Sequence, residues 1–254
     1  FADAVSAAEH RKAADYTVAR QRFSRLELVY DAILLLALTL GGGIAALGRL
    51  ATAIAGSNPI GTGTLHVLLA LLAMSLATLP FSVWRTFVLE ARFGFNRTTA
   101  AVFVADLVKA AALGALLGGG IVALVLWTMQ ASGARWWLVA WAAWMAISLL
   151  LLWAWPRWIA GFFNKFTPLK NRSVQTRIQA LLRRTGFRSR GIFVMDGSRR
   201  SAHGNAYFTG FGRNKRVVFF DTLLKTLRGP EIEAVLAHEL GHFHHRHIIK
   251  RIVM

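Results

Sequence analysis

The sequence predicts a mainly α protein: a multi-span transmembrane helical bundle joined to a small α+β module. Three observations carry that prediction. The chain of 254 residues is 55% hydrophobic and only 17% charged, with a mean hydropathy of +0.46, whereas soluble domains carry about 25% charged residues. Four stretches stay apolar for roughly the 20 residues a spanning helix needs. Beyond residue 156 the pattern turns basic and mixes short helical and β-rich runs.

The expected membrane domain covers residues 1–156, with spans at about 28–48, 65–88, 102–128 and 136–155. Residues 32–48 are uncharged between Asp31 and Arg49, and 65–84 are uncharged with Pro80 near the end. Residues 110–134 are uncharged between Lys109 and Arg135, and 136–155 are uncharged and rich in Trp and Leu. A soluble helix would show a polar face every turn, and these do not. The polar, basic residues 1–25 carry no secretory signal pattern. Gly41-Gly42-Gly43 and Gly118-Gly119-Gly120 read as sites of close helix approach. Asp106 and Lys109, three apart, read as a local ion pair, the alternative being the lining of an aqueous cavity.

Thirty Lys and Arg against twelve Asp and Glu give a net charge of +18. The basic residues number five in 1–27, one in 49–64, three in 85–97, one in 129–135 and nineteen after Trp155. That alternation puts both ends and the second loop in the cytoplasm. It explains the charge without nucleic acid as a partner, and makes the lipid bilayer the partner instead. With no cysteine, disulfides, zinc ribbons and thiol catalysis are excluded. Abundant Ala and Arg without Cys point to a bacterial protein, hence a multi-pass protein of the inner membrane.

Residues 157–254 form the expected cytoplasm-facing module. Residues 164–171, with Pro168, read as a loop. Ser173 reads as the N-cap of a helix over 173–185, with Val174, Ile178, Leu181 and Leu182 on one face and Gly186 as the stop. Residues 191–195 predict a strand. The β-rich runs 205–211 and 215–220, separated by Gly212-Arg213-Asn214, predict a hairpin. Pro230, after Gly229, opens a helix toward the end of the chain.

That last helix carries His238-Glu239-Leu240-Gly241-His242, an H-E-x-x-H pattern. His238 and His242 are four apart, so both imidazoles leave one helix face and can meet one metal ion. Glu239, one step around, can reach a water on that metal and take its proton. The pattern predicts a zincin-like catalytic module holding one zinc ion per chain. Catalytic zinc sites usually have three protein ligands, one more than this pair supplies. His244, His245 and His247 read as a basic helix end rather than a second metal site. A metal transporter, the reading from another class, would need ligands within the spans, where His66 is the only histidine.

Four ordered stretches resemble the type I CAAX prenyl proteases, integral-membrane zinc metalloendopeptidases, and their bacterial relatives. They are Glu90-Ala91-Arg92-Phe93-Gly94-Phe95-Asn96-Arg97-Thr98-Thr99; Phe163-Asn164-Lys165-Phe166-Thr167-Pro168-Leu169; SRRSAHGNAYFTGFG over 198–212; and the His238–His242 motif. The resemblance implies zinc ligation by His238 and His242, with the third ligand expected beyond Met254 and Glu239 as general base. It makes Asn205, Ala206 and Tyr207 part of an edge strand that pairs with an extended peptide or protein substrate, lipidated or membrane-associated. It implies hydrolysis of peptide bonds near the cytoplasmic membrane face. It also implies a seven-span bundle, so that one span is expected upstream and two downstream. A quality-control protease of the heat-shock type, acting on misfolded membrane proteins by the same chemistry, is the alternative. Where the family has an acidic, Pro- and Gly-containing turn, Lys170-Asn171-Arg172 is basic.

Overall fold

The computed structural model describes residues 6–187, 189–209 and 215–244, with the side chains of Pro156, Arg157, His242, Phe243 and His244 outside the description. The predicted Gly212-Arg213-Asn214 turn, His245 and His247 therefore lie outside the described residues. The chain divides into two compact units, Phe1–Asn96 with Ala100–Ile147, and Arg97–Thr99 with Ser148–Met254.

The first unit is built of long apolar helices: α1 (Ala7–Thr39), α2 (Gly43–Ala55), α3 (Pro59–Trp84), α4 (Ala100–Ala131) and the start of α5 (Trp136–Ala154). Ser6 and Glu9 close a reciprocal capping box on α1, and Asn58 caps α3 through Ile60 and Gly61. Three helical stretches are long and apolar enough to cross a membrane: Pro59–Glu90, Ala100–Ala131 and Gly133–Ala154. The pair α1 and α2, bent by 56° at its break, counts as a fourth if taken as one span. The break falls inside the predicted 28–48 stretch. Gly42 makes it possible, with a φ of 77° that a side chain would resist.

Small residues and a few polar links join these helices. A Cβ on Gly119 would stand 3.3 Å from Leu68 Cδ1, and one on Gly63 only 2.7 Å from Leu126 Cδ1. The Tyr30 hydroxyl donates to the Ala77 carbonyl at 3.0 Å, and His66 Nε2 lies 3.0 Å from the Ile44 carbonyl oxygen. His66 thus serves helix packing. Beyond α3 the chain makes a π-helical segment, Arg85–Glu90. Gly94, at φ 79°, then ends the helix, its N–H bonding the Ala91 carbonyl.

The second unit is α+β. After the end of α5 come a π-helical segment (Trp155–Ile159), α6 (Ala160–Phe163), β1 (Phe166–Pro168), α7 (Arg172–Arg184), β2 (Ile192–Met195), β3 (Ala206–Thr209), β4 (Arg216–Phe220), α8 (Asp221–Thr226) and α9 (Gly229–His244). The sheet order is β1-β2-β4-β3, with β2 and β4 parallel and both outer pairs antiparallel. One sheet face, with Ile192, Ala206, Val217 and Phe219, packs with Ile178, Leu181 and Leu182 of α7 and Ile232, Leu236 and Leu240 of α9. Burial of each large aliphatic there is worth roughly 1.5–3 kcal/mol.

Two local expectations are corrected. The segment read as a loop contains β1, whose Pro168 pairs opposite Phe193. Proline cannot donate to a ladder and is tolerated there because β1 is an outer strand. The cap of α7 is Asn171, not Ser173: its side chain accepts from the Val174 N–H at 3.2 Å. The basic turn Lys170-Asn171-Arg172 is therefore a helix start.

Candidate metal centre and substrate edge

The helix α9 is set by its own first turn. The Arg228 N–H donates to a Glu231 carboxylate oxygen at 2.7 Å, and the Ile232 N–H to the Arg228 carbonyl at 3.0 Å. Ile232, Leu236 and Leu240 recur at helical spacing and are all at most 4% exposed, so they fix which side of α9 faces the sheet. His238 stands two residues from Leu236 and is exposed, while Glu239 is half-buried. The helix continues unbroken through His242, one turn on from His238. Two imidazole-bearing residues a turn apart form a donor set that suits zinc. Among the described residues, no group of three or more His, Cys, Asp or Glu is placed to hold a metal ion.

The strand β3 forms the outer edge of the sheet, and no described strand pairs with its far side. The Asn205 carbonyl accepts from the Phe220 N–H at 2.9 Å. Alternation along an antiparallel pair then turns the backbone groups of Ala206 and Phe208 away from β4. The Asn205 side chain is spent locally, its Oδ1 accepting from the Ala206 N–H at 2.8 Å. Ala206 is buried toward α9. The Tyr207 ring lies on the opposite sheet face, in edge contact with Phe220, its hydroxyl 3.8 Å from Met195 Sδ. Burial pushes its phenol above the ordinary range. With Trp155, Phe166, Phe193 and Thr209, Tyr207 lines a cleft of about 100 Å³ on that face.

A contact hub that sequence reading missed centres on Arg200. Its carbonyl accepts from the Arg97 N–H and from the Thr98 hydroxyl, each at 3.0 Å. Its guanidinium donates to Asn164 Oδ1 at 2.8 Å and to the Phe163 carbonyl at 2.7 Å. Arg200 thereby ties together three of the four stretches singled out in the sequence, just before the chain enters β3. The co-occurrence of those stretches was the available signal. Nearby, Ser198 grips Asp221 through its hydroxyl and, at 2.8 Å, through its N–H. Burial alone would raise the Asp221 carboxyl. The bonds from Ser198, the charge of Lys225 and the Thr222 N–H outweigh it and hold the carboxyl below the usual carboxylate range.

A chain of apolar membrane helices that also carries H-E-x-x-H on a helix packed beside a mixed sheet defines a membrane-embedded metallopeptidase fold. Residues 1–165 match the family model described as CAAX prenyl protease N-terminal, five membrane helices, and residues 168–254 match peptidase family M48. The chain belongs to this family, the CAAX prenyl proteases of peptidase family M48, and is an integral membrane protein. It is 41% identical over 186 residues to a CAAX prenyl protease 1 homolog of Arabidopsis thaliana, covering 72% of this chain and 44% of that one. It is 39% identical over 182 residues to CAAX prenyl protease 1 of Saccharomyces cerevisiae, covering 70% and 40%. The crystal structure of S. mikatae Ste24p superposes with a TM-score of 0.89 at 32% identity, covering 96% of this chain and 58% of that one. The chain thus spans less than half the length of the two curated relatives.

Proposed function

We propose that the full-length protein is a zinc-dependent endopeptidase that hydrolyses peptide bonds near the cytoplasmic membrane face. Residues 1–156 form its membrane domain, with four spans of which the first is the bent α1–α2 pair. Residues 157–254 form part of its catalytic module. The alternation of basic and non-basic loops supports the cytoplasmic orientation. The observation that carries the reading is the unbroken helix through His238, Glu239 and His242 in a chain of this family.

His238 and His242 would hold the zinc ion, with a third ligand from residues following Met254. Bound there, zinc supplies Lewis acidity, lowering the pKa of a water to about 7 and polarising a carbonyl. The Glu239 carboxylate accepts the proton of the attacking water and returns it to the leaving amine. The strand from Asn205 through Ala206 and Tyr207 holds the peptide extended, and the outward carbonyl of Ala206 with the outward N–H and carbonyl of Phe208 supply affinity with little sequence demand. The name of the relatives, CAAX prenyl protease, supports a prenylated CAAX peptide as substrate. In the full-length protein, Glu239→Gln is expected to keep its zinc and lose about 10²–10⁴-fold in cleavage of a prenylated CAAX peptide. Undiminished turnover with zinc bound would remove Glu239 from the mechanism. Assaying a misfolded membrane protein alongside separates the two substrate classes.

A further inference from the structure

The first unit holds a second site that owes nothing to the proposed metal centre. One face of α1, with Asp15, Val18, Ala19 and Arg22, opposes Arg92 and Phe93 across an open groove of about 430 Å³. Its polar groups are two arginines and one carboxylate. The Arg92 guanidinium lies 5.8 Å from the centre of its neighbour's ring, Phe93. By contrast Arg85, also in this region, is neutralised by an ion pair with Glu27. The groove therefore carries net positive charge, Arg22 and Arg92 against Asp15, which lies two helical turns from Arg22.

Its depth follows from neighbouring contacts. Arg85 is the first charge beyond the apolar helix α3, and its guanidinium lies 5.6 Å from the Phe23 ring centre. Phe23 also meets Phe81 of α3 at 5.9 Å. Arg22, adjacent to Phe23, is thus within about a turn of the end of the apolar stretch. Arg92 follows the Pro59–Glu90 span by two residues. Arg22 and Arg92 therefore border the apolar stretch, outside which headgroups form a layer of about 5–7 Å. Because α1 runs toward the apolar stretch, Asp15, Val18 and Ala19 lie on the side of Arg22 away from it.

We infer that this groove is a phospholipid site, in which Arg22 and Arg92 grip the headgroup phosphate and Asp15 accepts from a headgroup hydroxyl or amine. Arginine suits this task because its planar donors match phosphate oxygens in pairs. Basic pockets at the cytoplasmic ends of spans bind lipid phosphates, with each basic residue adding several-fold in affinity.

The test is native mass spectrometry of the full-length protein in detergent, titrated with dioleoyl phosphatidylglycerol. Arg22→Gln/Arg92→Gln is expected to weaken the tightest bound lipid by about tenfold or more. Arg11→Gln/Arg25→Gln removes the same charge from α1 outside the groove and is expected to leave that affinity within about twofold. Excess inorganic phosphate is expected not to displace the lipid. Equal loss in both double variants would reduce the effect to diffuse charge and overturn the site. Displacement by inorganic phosphate would overturn a lipid as the ligand. Proteolysis is not read in this experiment, so its outcome stands apart from that of the zinc reading.

Discussion

The two units use the same residue types in opposite ways. In the membrane unit α1 and α3 bury no residue within the described chain, and Leu116 on α4 is 73% exposed. In the catalytic unit Val217 and Phe219 are fully buried and Leu236 is 1% exposed. The difference lies in the solvent. Lipid is as apolar as leucine, so burial between spans gains little, and close approach and polar links do the joining. Gly63, Gly119, the Tyr30–Ala77 bond and the His66–Ile44 contact are those devices here. The sheet and its two helices in the second unit are held by burial.

Three substitutions in the full-length protein sharpen that contrast. The largest effect is expected for Leu236→Ala, which opens a cavity under α9 and should cost about 2–5 kcal/mol, read as faster hydrogen exchange across β2 and β4. Next comes Asp221→Asn, which loses charge-assisted bonds from Ser198 and should cost about 1–2 kcal/mol near pH 7. Its pH dependence has a fixed sign. The folded carboxyl lies below its unfolded range, so its contribution is complete above about pH 4–5 and is lost as pH falls through the folded value. Wild type and Asp221→Asn should therefore converge in acid, and a gap that widens there would contradict the bonding at Ser198. The smallest effect is expected for Leu116→Ala, within about 0.5 kcal/mol in thermal unfolding in lipid. A cost there equal to that of Leu236→Ala would break the comparison, because it would make the outer face of α4 a packed core.

What was legible in the sequence follows the same divide. Apolar runs announced the long apolar helices, because length and composition alone define them. The 3.6-residue spacing of Ile178, Leu181 and Leu182 announced α7, and Gly186 marked its end. Local ambiguity hid the rest. Asn171 and Ser173 are both good caps two residues apart, and only the Val174 N–H decides between them. The three residues of β1 include a proline and owe their conformation to β2, distant in sequence. The 42-position turn between α1 and α2 sits in a glycine run that reads equally well as packing. The metal motif was legible as a pattern. The Arg200 hub was not, because its partners Arg97 and Asn164 lie 103 and 36 positions away, and nothing local marks a carbonyl as a shared acceptor.

The central claim is one metal ion held by the two histidines of α9. The direct measurement is zinc content per chain of the purified full-length protein, compared among wild type, His238→Ala and His242→Ala. About one zinc in wild type, falling to near zero in each variant while both remain folded by circular dichroism, is the predicted result. Zinc retained at wild-type level in either folded variant would contradict it.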